Sequence, residues 1–229
     1  MKDLSRIPSP YVEGTFKPLM EANPNENWIT MWETNRGCPF ACTFCDWGSL
    51  VNAKVYPFDM ERCLKELDWF SEHKIGYVFC CDANFGILAR DVDLAKYISE
   101  IKKETGYPQI MCVQNTKNQT ERSYETQKTL FDAGFARGVL VAFQSVDQAT
   151  LIASKRGNIS LESFAELKSR FAEEGIPTSA DFILGLPGES YETFVNGLAG
   201  MVEDGNHNRA RVNNLHILPN AEMGDPEYQ

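Results

Sequence analysis

The sequence predicts an α/β fold, a partial TIM barrel of about six parallel βα units. Short apolar runs alternate with amphipathic helical segments, and the connections between them are a few residues long. The 229 residues also fall short of the roughly 250 that eight such units require.

The first 27 residues set Pro8, Pro10, Pro18 and Pro24 among Asn, Glu and Gly; they hold no sustained period and read as an extended lead-in over the surface. Trp28 to Glu33 is the first strand. Asp59 to His73 carries apolar residues at helical spacing, with Asp59 placed to cap it. Tyr77 to Cys81 follows Gly76 as the second strand, and Asp91 to Thr105 is a helix closed by Gly106 and Pro108. Gln109 to Val113 is the third strand, Ser123 to Ala133 a helix stopping at Gly134, and Gly138 to Phe143 the fourth strand. Ser160 to Glu174 is helical up to Gly175, and Ile176 to Leu184 is the fifth strand. Ser190 to Glu203 is the fifth helix, and Arg211 to Leu218 the sixth strand, ending at Pro219. Right-handed crossovers of this length make a parallel sheet, open and doubly wound or curved into an incomplete barrel; in both, ligands bind at the C-terminal strand ends. The chain thus divides into a lead-in (1–27), a core (28–219) and a tail (220–229).

With 22 Lys and Arg against 32 Asp and Glu, the net charge of −10 repels phosphate backbones and anionic membranes. No basic stripe overrides it, which excludes nucleic acid as a bulk partner. No apolar stretch approaches the roughly 20 residues of a membrane span, and Met1-Lys-Asp-Leu has no signal-peptide character, so the protein is expected in the cytoplasm. Seven cysteines without an export signal point to reduced thiols held for metal or catalysis, not to a disulfide framework.

Directly after the first strand, Cys38, Cys42 and Cys45 are spaced C-x3-C-x2-C in a loop where a parallel sheet places its site. Gly37 and Gly48 free the backbone around them. Such spacing lets one loop wrap a single metal centre, and three thiolates on a four-iron cubane leave one iron open. A structural zinc site needs a fourth ligand, yet no second cysteine pair or His-x3-5-His follows, and His73, His207 and His216 are scattered. Cys63 sits in a helix and Cys80, Cys81 and Cys112 in strands, where a free cysteine acts as a small hydrophobe; Cys81 alone could face a site mouth.

Cys38, Cys42, Phe44 and Cys45 match C-x3-C-x-(aromatic)-C, and over residues 28–219 the chain resembles the radical S-adenosylmethionine (radical SAM) superfamily. The resemblance implies a 4Fe-4S cluster on the three cysteines, with S-adenosylmethionine chelated at the open iron and cleaved to a deoxyadenosyl radical that abstracts hydrogen from substrate. It places Phe44 near the adenine. Cys81–Gly86 departs from the family's Gly-Gly-Glu and is similar to an Asp-rich variant, which implies that Asp82, with Asn84 beside it, meets the methionine amino group. Asp and Asn also favour turns at strand ends. Gln144 and Ser145 resemble the ribose-contacting segment, Arg156 could clamp the methionine carboxylate, and Gly185 opens a Gly-Leu-Pro-Gly loop that would run against the adenine.

Ile7–Gly14 resembles the linker that follows a cobalamin-binding domain in the cobalamin-dependent branch. Met1 lies only six residues earlier, so that domain is expected to be absent and cobalamin remains an optional cofactor; the tail ending at Gln229 looks truncated. The implied partners are an electron donor such as flavodoxin or ferredoxin and a substrate the sequence does not name. Methyl transfer, rearrangement and hydrogen abstraction all fit one core. The alternative is a non-catalytic iron–sulfur or zinc module.

Overall fold

A computed structural model describes residues 3–49, 54–116, 121–203 and 209–228; His207 lies outside them. The elements begin with α1 (Lys17–Ala22), β1 (Ile29–Trp32), β2 (Asn35–Arg36), α2 (Asp46–Ser49), β3 (Tyr56–Pro57), α3 (Met60–Glu72), β4 (Tyr77–Cys80) and α4 (Asp91–Thr105). They continue with β5 (Ile110–Cys112), α5 (Glu121–Asp132), β6 (Val139–Gln144), α6 (Gln148–Ala153), α7 (Leu161–Glu173), β7 (Thr178–Leu184), α8 (Tyr191–Glu203) and β8 (Ala210–Asn214). The chain forms two compact units, one of Met1–Arg36, Val55–Thr116 and Glu121–Arg137, the other of Gly37–Lys54, Lys117–Thr120 and Gly138–Gln229.

In the first unit β1, β4 and β5 make a parallel sheet in that order, with Ile29 opposite Tyr77 and Tyr77 opposite Ile110. Alternation along β1 buries Trp32 under the helices and leaves Ile29 and Met31 exposed. Leu67 and Phe70 of α3 and Leu94 and Ile98 of α4 complete this core. Asp59 caps α3 as its sequence predicts, accepting from the amides of Glu61 at 2.9 Å and Arg62 at 3.3 Å. The buried Glu66 carboxylate receives the Trp32 indole N–H at 2.8 Å and Arg62 Nε at 2.9 Å, so its charge is paired. The lead-in is more structured than its composition suggests. Leu4 and Tyr11 supply apolar surface to the core, the Tyr11 ring lying 4.9 Å from Phe70, and Pro18 fits the first turn of α1, where no N–H is needed. The Tyr11 hydroxyl donates to the Met31 carbonyl and ties the lead-in to β1. The short antiparallel pair β2–β3 is an addition that apolar periodicity does not mark.

In the second unit β6, β7 and β8 are parallel in that order. Phe143, Phe164, Phe171 and Phe182 fill its core, with Phe143 edge-on to Phe164 at 4.5 Å. Gly138 enters β6 where a Cβ would stand 2.6 Å from the Pro177 carbonyl oxygen. A register shift between Ala142 and Gln144 bends the end of β6, and Gln144 adopts φ 69°. Ser160 caps α7 by accepting from the Ser163 amide at 3.1 Å. The last strand is shorter than the predicted strand Arg211 to Leu218; it stops at Asn214, and all five residues of β8 are exposed along this edge. Six parallel strands linked by helices are the α/β architecture the alternation predicts.

Candidate functional site

The three-cysteine loop leaves β2 at Gly37, whose φ of 100° a side chain would strain. Cys38 and Cys42 are buried and Cys45 half-buried; Cys45 donates its amide to the Cys42 carbonyl at 3.1 Å, closing a turn that carries a half-buried Phe44. Thr43, at the middle of the turn, is held from both sides. Its amide donates to the Ser154 carbonyl at the end of α6 (3.1 Å), and its carbonyl accepts from the Met223 amide (2.9 Å). None of the seven cysteines is in a disulfide.

Arg156, only 5% exposed, lies in the electrostatic field of Cys42, Cys45 and Cys38. Burial pulls its pKa below the arginine value, and the thiols oppose that shift. The same side chain donates from Nε to Asn158 Oδ1 at 2.7 Å and from Nη2 to the Ala142 carbonyl. Among the described residues no three His, Cys, Asp or Glu side chains are placed to hold one metal ion. A cubane takes one thiolate on each of three irons and needs less convergence, and a buried guanidinium offsets the negative charge of such a thiolate-bound cluster. The donor set therefore fits the iron–sulfur cluster better than a closed zinc site.

Gln144 and Ser145 follow the bend of β6. Asn158 Nδ2 donates to the carbonyls of Phe143 (2.8 Å) and Ser145 (3.0 Å), so Arg156 and Asn158 together pin this strand end. The buried Ser145 hydroxyl donates to Glu189 Oε1 at 2.6 Å and accepts from the Asp147 amide at 3.1 Å. Burial pushes the Glu189 carboxyl above its ordinary pKa, against the pull of Ser145, and its Oε2 has no hydrogen-bond partner among the described residues. Glu189 closes the loop after β7, in which Gly185 has φ 97° and Gly188 φ 79°; a Cβ added at Gly188 would stand 3.9 Å from the Ala153 Cβ.

Asp82 and Asn84 belong to the first unit, at the end of β4, and both are buried. Asp82 Oδ1 accepts from the amides of Thr34 (2.7 Å) and Asn35 (3.1 Å), and Oδ2 from the Thr34 hydroxyl and from Asn35 Nδ2 (2.8 Å). Burial raises its pKa and these donors oppose the rise. The carboxylate thereby fixes the segment leaving β1, which Arg90 also grips through the Thr34 carbonyl at 2.7 Å. Of the seven cysteines, Cys63 and Cys80 are fully buried, and burial pushes the Cys63 thiol up to about 12; Cys81 and Cys112 are half-buried.

Thus the second unit brings together Cys38, Cys42, Phe44, Cys45 and Arg156, and links Arg156 through Asn158 to Gln144 and Ser145. Sequence reasoning missed Asn158, Glu189 and Met223. Glu189 had a signal in its place one residue beyond Gly-Leu-Pro-Gly, but Asn158 and Met223 act through main-chain groups far off in the chain, which no spacing reveals.

A profile of the Radical SAM superfamily matches residues 32–198, well over half of the chain. The 2-(S-pantetheinyl)-carbapenam-3-carboxylate methyltransferase of Streptantibioticus cattleyicolor is 41% identical over 222 residues, covering 96% of this chain and 33% of that protein. The cobalamin-dependent radical SAM methyltransferase TokK of Streptomyces tokunonensis is 40% identical over 222 residues, with the same 96% and 33% coverage. The chain thus spans about a third of the length of these curated relatives. Among solved structures, the radical S-adenosylmethionine methyltransferase TsrM of Kitasatospora setae superposes with a TM-score of 0.67 at 18% identity, over 86% of this chain and 38% of that one. The coproporphyrinogen III oxidase HemN of Escherichia coli, a radical SAM enzyme, gives 0.60 at 16% identity, over 89% and 50%. At such identities the likeness is one of fold.

Proposed function

The chain belongs to the radical SAM superfamily, and on that premise we propose that it is the catalytic core of a cobalamin-dependent radical SAM methyltransferase, with its 4Fe-4S cluster on Cys38, Cys42 and Cys45. The observation that carries this reading is one loop that sets Cys38, Cys42 and Cys45, none of them in a disulfide, in the field of the buried Arg156 guanidinium. The chemistry available from a bound cluster and S-adenosylmethionine is one-electron cleavage of the sulfonium C–S bond, giving a carbon radical. The residues of this chain bind and orient. Arg156 balances the charge of the thiolates and braces β6, so that Gln144 and Ser145 stand fixed for a ribose. Phe44 and the main chain at Gly185 offer surface to the adenine. Asp82 fixes Thr34 and Asn35 beyond β1, and Asn84 lies in the turn beyond β4.

Methyl transfer, as against hydrogen abstraction alone, is supported by the names of the relatives at 41% and 40% identity, and TokK's name supports cobalamin as a third cofactor. Superfamily members need a reductant; we assign that part to a flavodoxin or ferredoxin. No helix among the described residues is long and apolar enough to cross a membrane. The cytoplasm, where thiols stay reduced, is the proposed location.

Anaerobic reconstitution with iron and sulfide, followed by reduction in the presence of S-adenosylmethionine, should release a cleavage product of S-adenosylmethionine. Cys38→Ala, Cys42→Ala and Cys45→Ala should each abolish it. Zinc without iron in the isolated protein, or a loaded cluster that cleaves nothing, would sink the enzymatic reading in favour of a binding module.

A further inference from the structure

We infer that residues Ala221–Tyr228 form a strap that fixes the cysteine loop in its ligating shape, with the Met223 amide as the positioning group; the inference rests on the cluster assignment proposed above. Thr43 stands between Cys42 and Cys45, so the direction of its peptide planes sets where both thiols point. Its amide is held by the Ser154 carbonyl at 3.1 Å, and its carbonyl by Met223 at 2.9 Å. The second hold comes from a segment 180 positions further along the chain, outside every motif of the loop.

The strap is built to keep that amide in place. Ala221 and Met223 are buried, at 3% and 7% exposure, on either side of an exposed Glu222. Glu222 Oε1 lies 2.6 Å from Lys155 Nζ, and the Tyr228 hydroxyl is 3.4 Å from both the Thr43 hydroxyl and the Ala153 carbonyl. Main-chain bonds from Ala221 to Leu218 (3.1 Å) and from Gly224 to Ala221 (2.8 Å) fold the segment back on itself. A Cβ at Gly224 would collide with the Leu218 carbonyl oxygen, so the turn is reserved for glycine. Ser154 and Met223 thus grip one residue from opposite sides, and releasing either frees the turn that sets the directions of the Cys42 and Cys45 side chains.

The test uses the full chain, reconstituted anaerobically with iron and sulfide, as wild type, Met223→Pro, which removes the donor, and Met223→Leu, which keeps it. Read-outs are iron and sulfide retained after desalting, the rate at which the cluster absorbance bleaches in air, the paramagnetic resonance spectrum of the reduced cluster, and the melting curve of each metal-free chain. Met223→Pro should bleach about fivefold faster, the factor expected for one lost net hydrogen bond, with shifted g-values and a melting curve lowered by only about 2–4 °C, while Met223→Leu matches wild type. Bleaching and g-values identical in all three chains overturn the strap. If Met223→Pro does not fold, a chain ending at Asn220 decides on the same read-outs: faster bleaching supports the strap and an unchanged rate overturns it. A wild-type chain that takes up no cluster overturns the cluster assignment and the strap together.

Discussion

Asp91 shows how one buried side chain writes a pH dependence into the molecule. It is fully buried at the start of α4, and its Oδ2 accepts from the amides of Gly86 (2.8 Å) and Leu88 (2.9 Å), while Oδ1 has no hydrogen-bond partner among the described residues. Burial raises its pKa from 3.8 to about 6, against the pull of the two amides. The folded chain therefore holds this proton more tightly than the unfolded chain does. The stabilisation is fully present below about pH 4 and is lost as pH rises through about 6, a difference of about 3 kcal/mol at neutral pH. An asparagine in its place would be isosteric and uncharged: Asp91→Asn should unfold in urea at pH 7.5 no earlier than wild type and should lose the slope between pH 4 and 6. A loss of stability in Asp91→Asn at pH 7.5 that disappears below pH 4 would show that the ionised carboxylate is needed. Residues of this kind separate what the sequence reveals from what it hides. The cluster site proposed on Cys38, Cys42 and Cys45 is read from the sequence alone, because the three lie within eight positions of one another and the spacing carries the chemistry. The environment of Asp82 is not, because its partners Thr34 and Asn35 are 48 and 47 positions away.

Helices with capping side chains are read well: Asp59 before α3, Ser160 before α7 and Gly106 after α4 occupy the places local hydrogen bonding demands. The misses are short. α1 has six residues and α6 has six, too few to display a period, and the end of β8 depends on a neighbour rather than on its own apolar run. The end of β6 matters most to the site, because two carbonyls there, those of Phe143 and Ser145, rely on one amide group. Asn158→Ala should therefore weaken S-adenosylmethionine binding to the reconstituted chain by about three- to tenfold, measured by equilibrium dialysis, with iron content unchanged. Lost iron at unchanged affinity would assign Asn158 to the cysteine loop instead.

At the scale of the whole molecule, the net charge of −10 opposes self-association at long range, but β8 offers an exposed edge bearing Val212, with Ile217 and Leu218 just beyond it. Val212→Lys should raise the concentration at which light scattering first appears without altering the iron content; scattering unchanged by the added charge would place the sticky surface elsewhere. The alternation of strands and helices across the chain was legible because each unit repeats one local rule. The partition into two compact units was not, since segments such as Gly37–Lys54 and Val55–Thr116 join different units without any change in composition. The double hold on Thr43 carries one more consequence, for assembly. A ligand loop whose central peptide is already fixed by Ser154 and Met223 has given up its conformational entropy during folding. On the cluster assignment proposed above, metal loading would then be a bimolecular capture by a loop whose central peptide is already set, decoupled from the folding of the polypeptide.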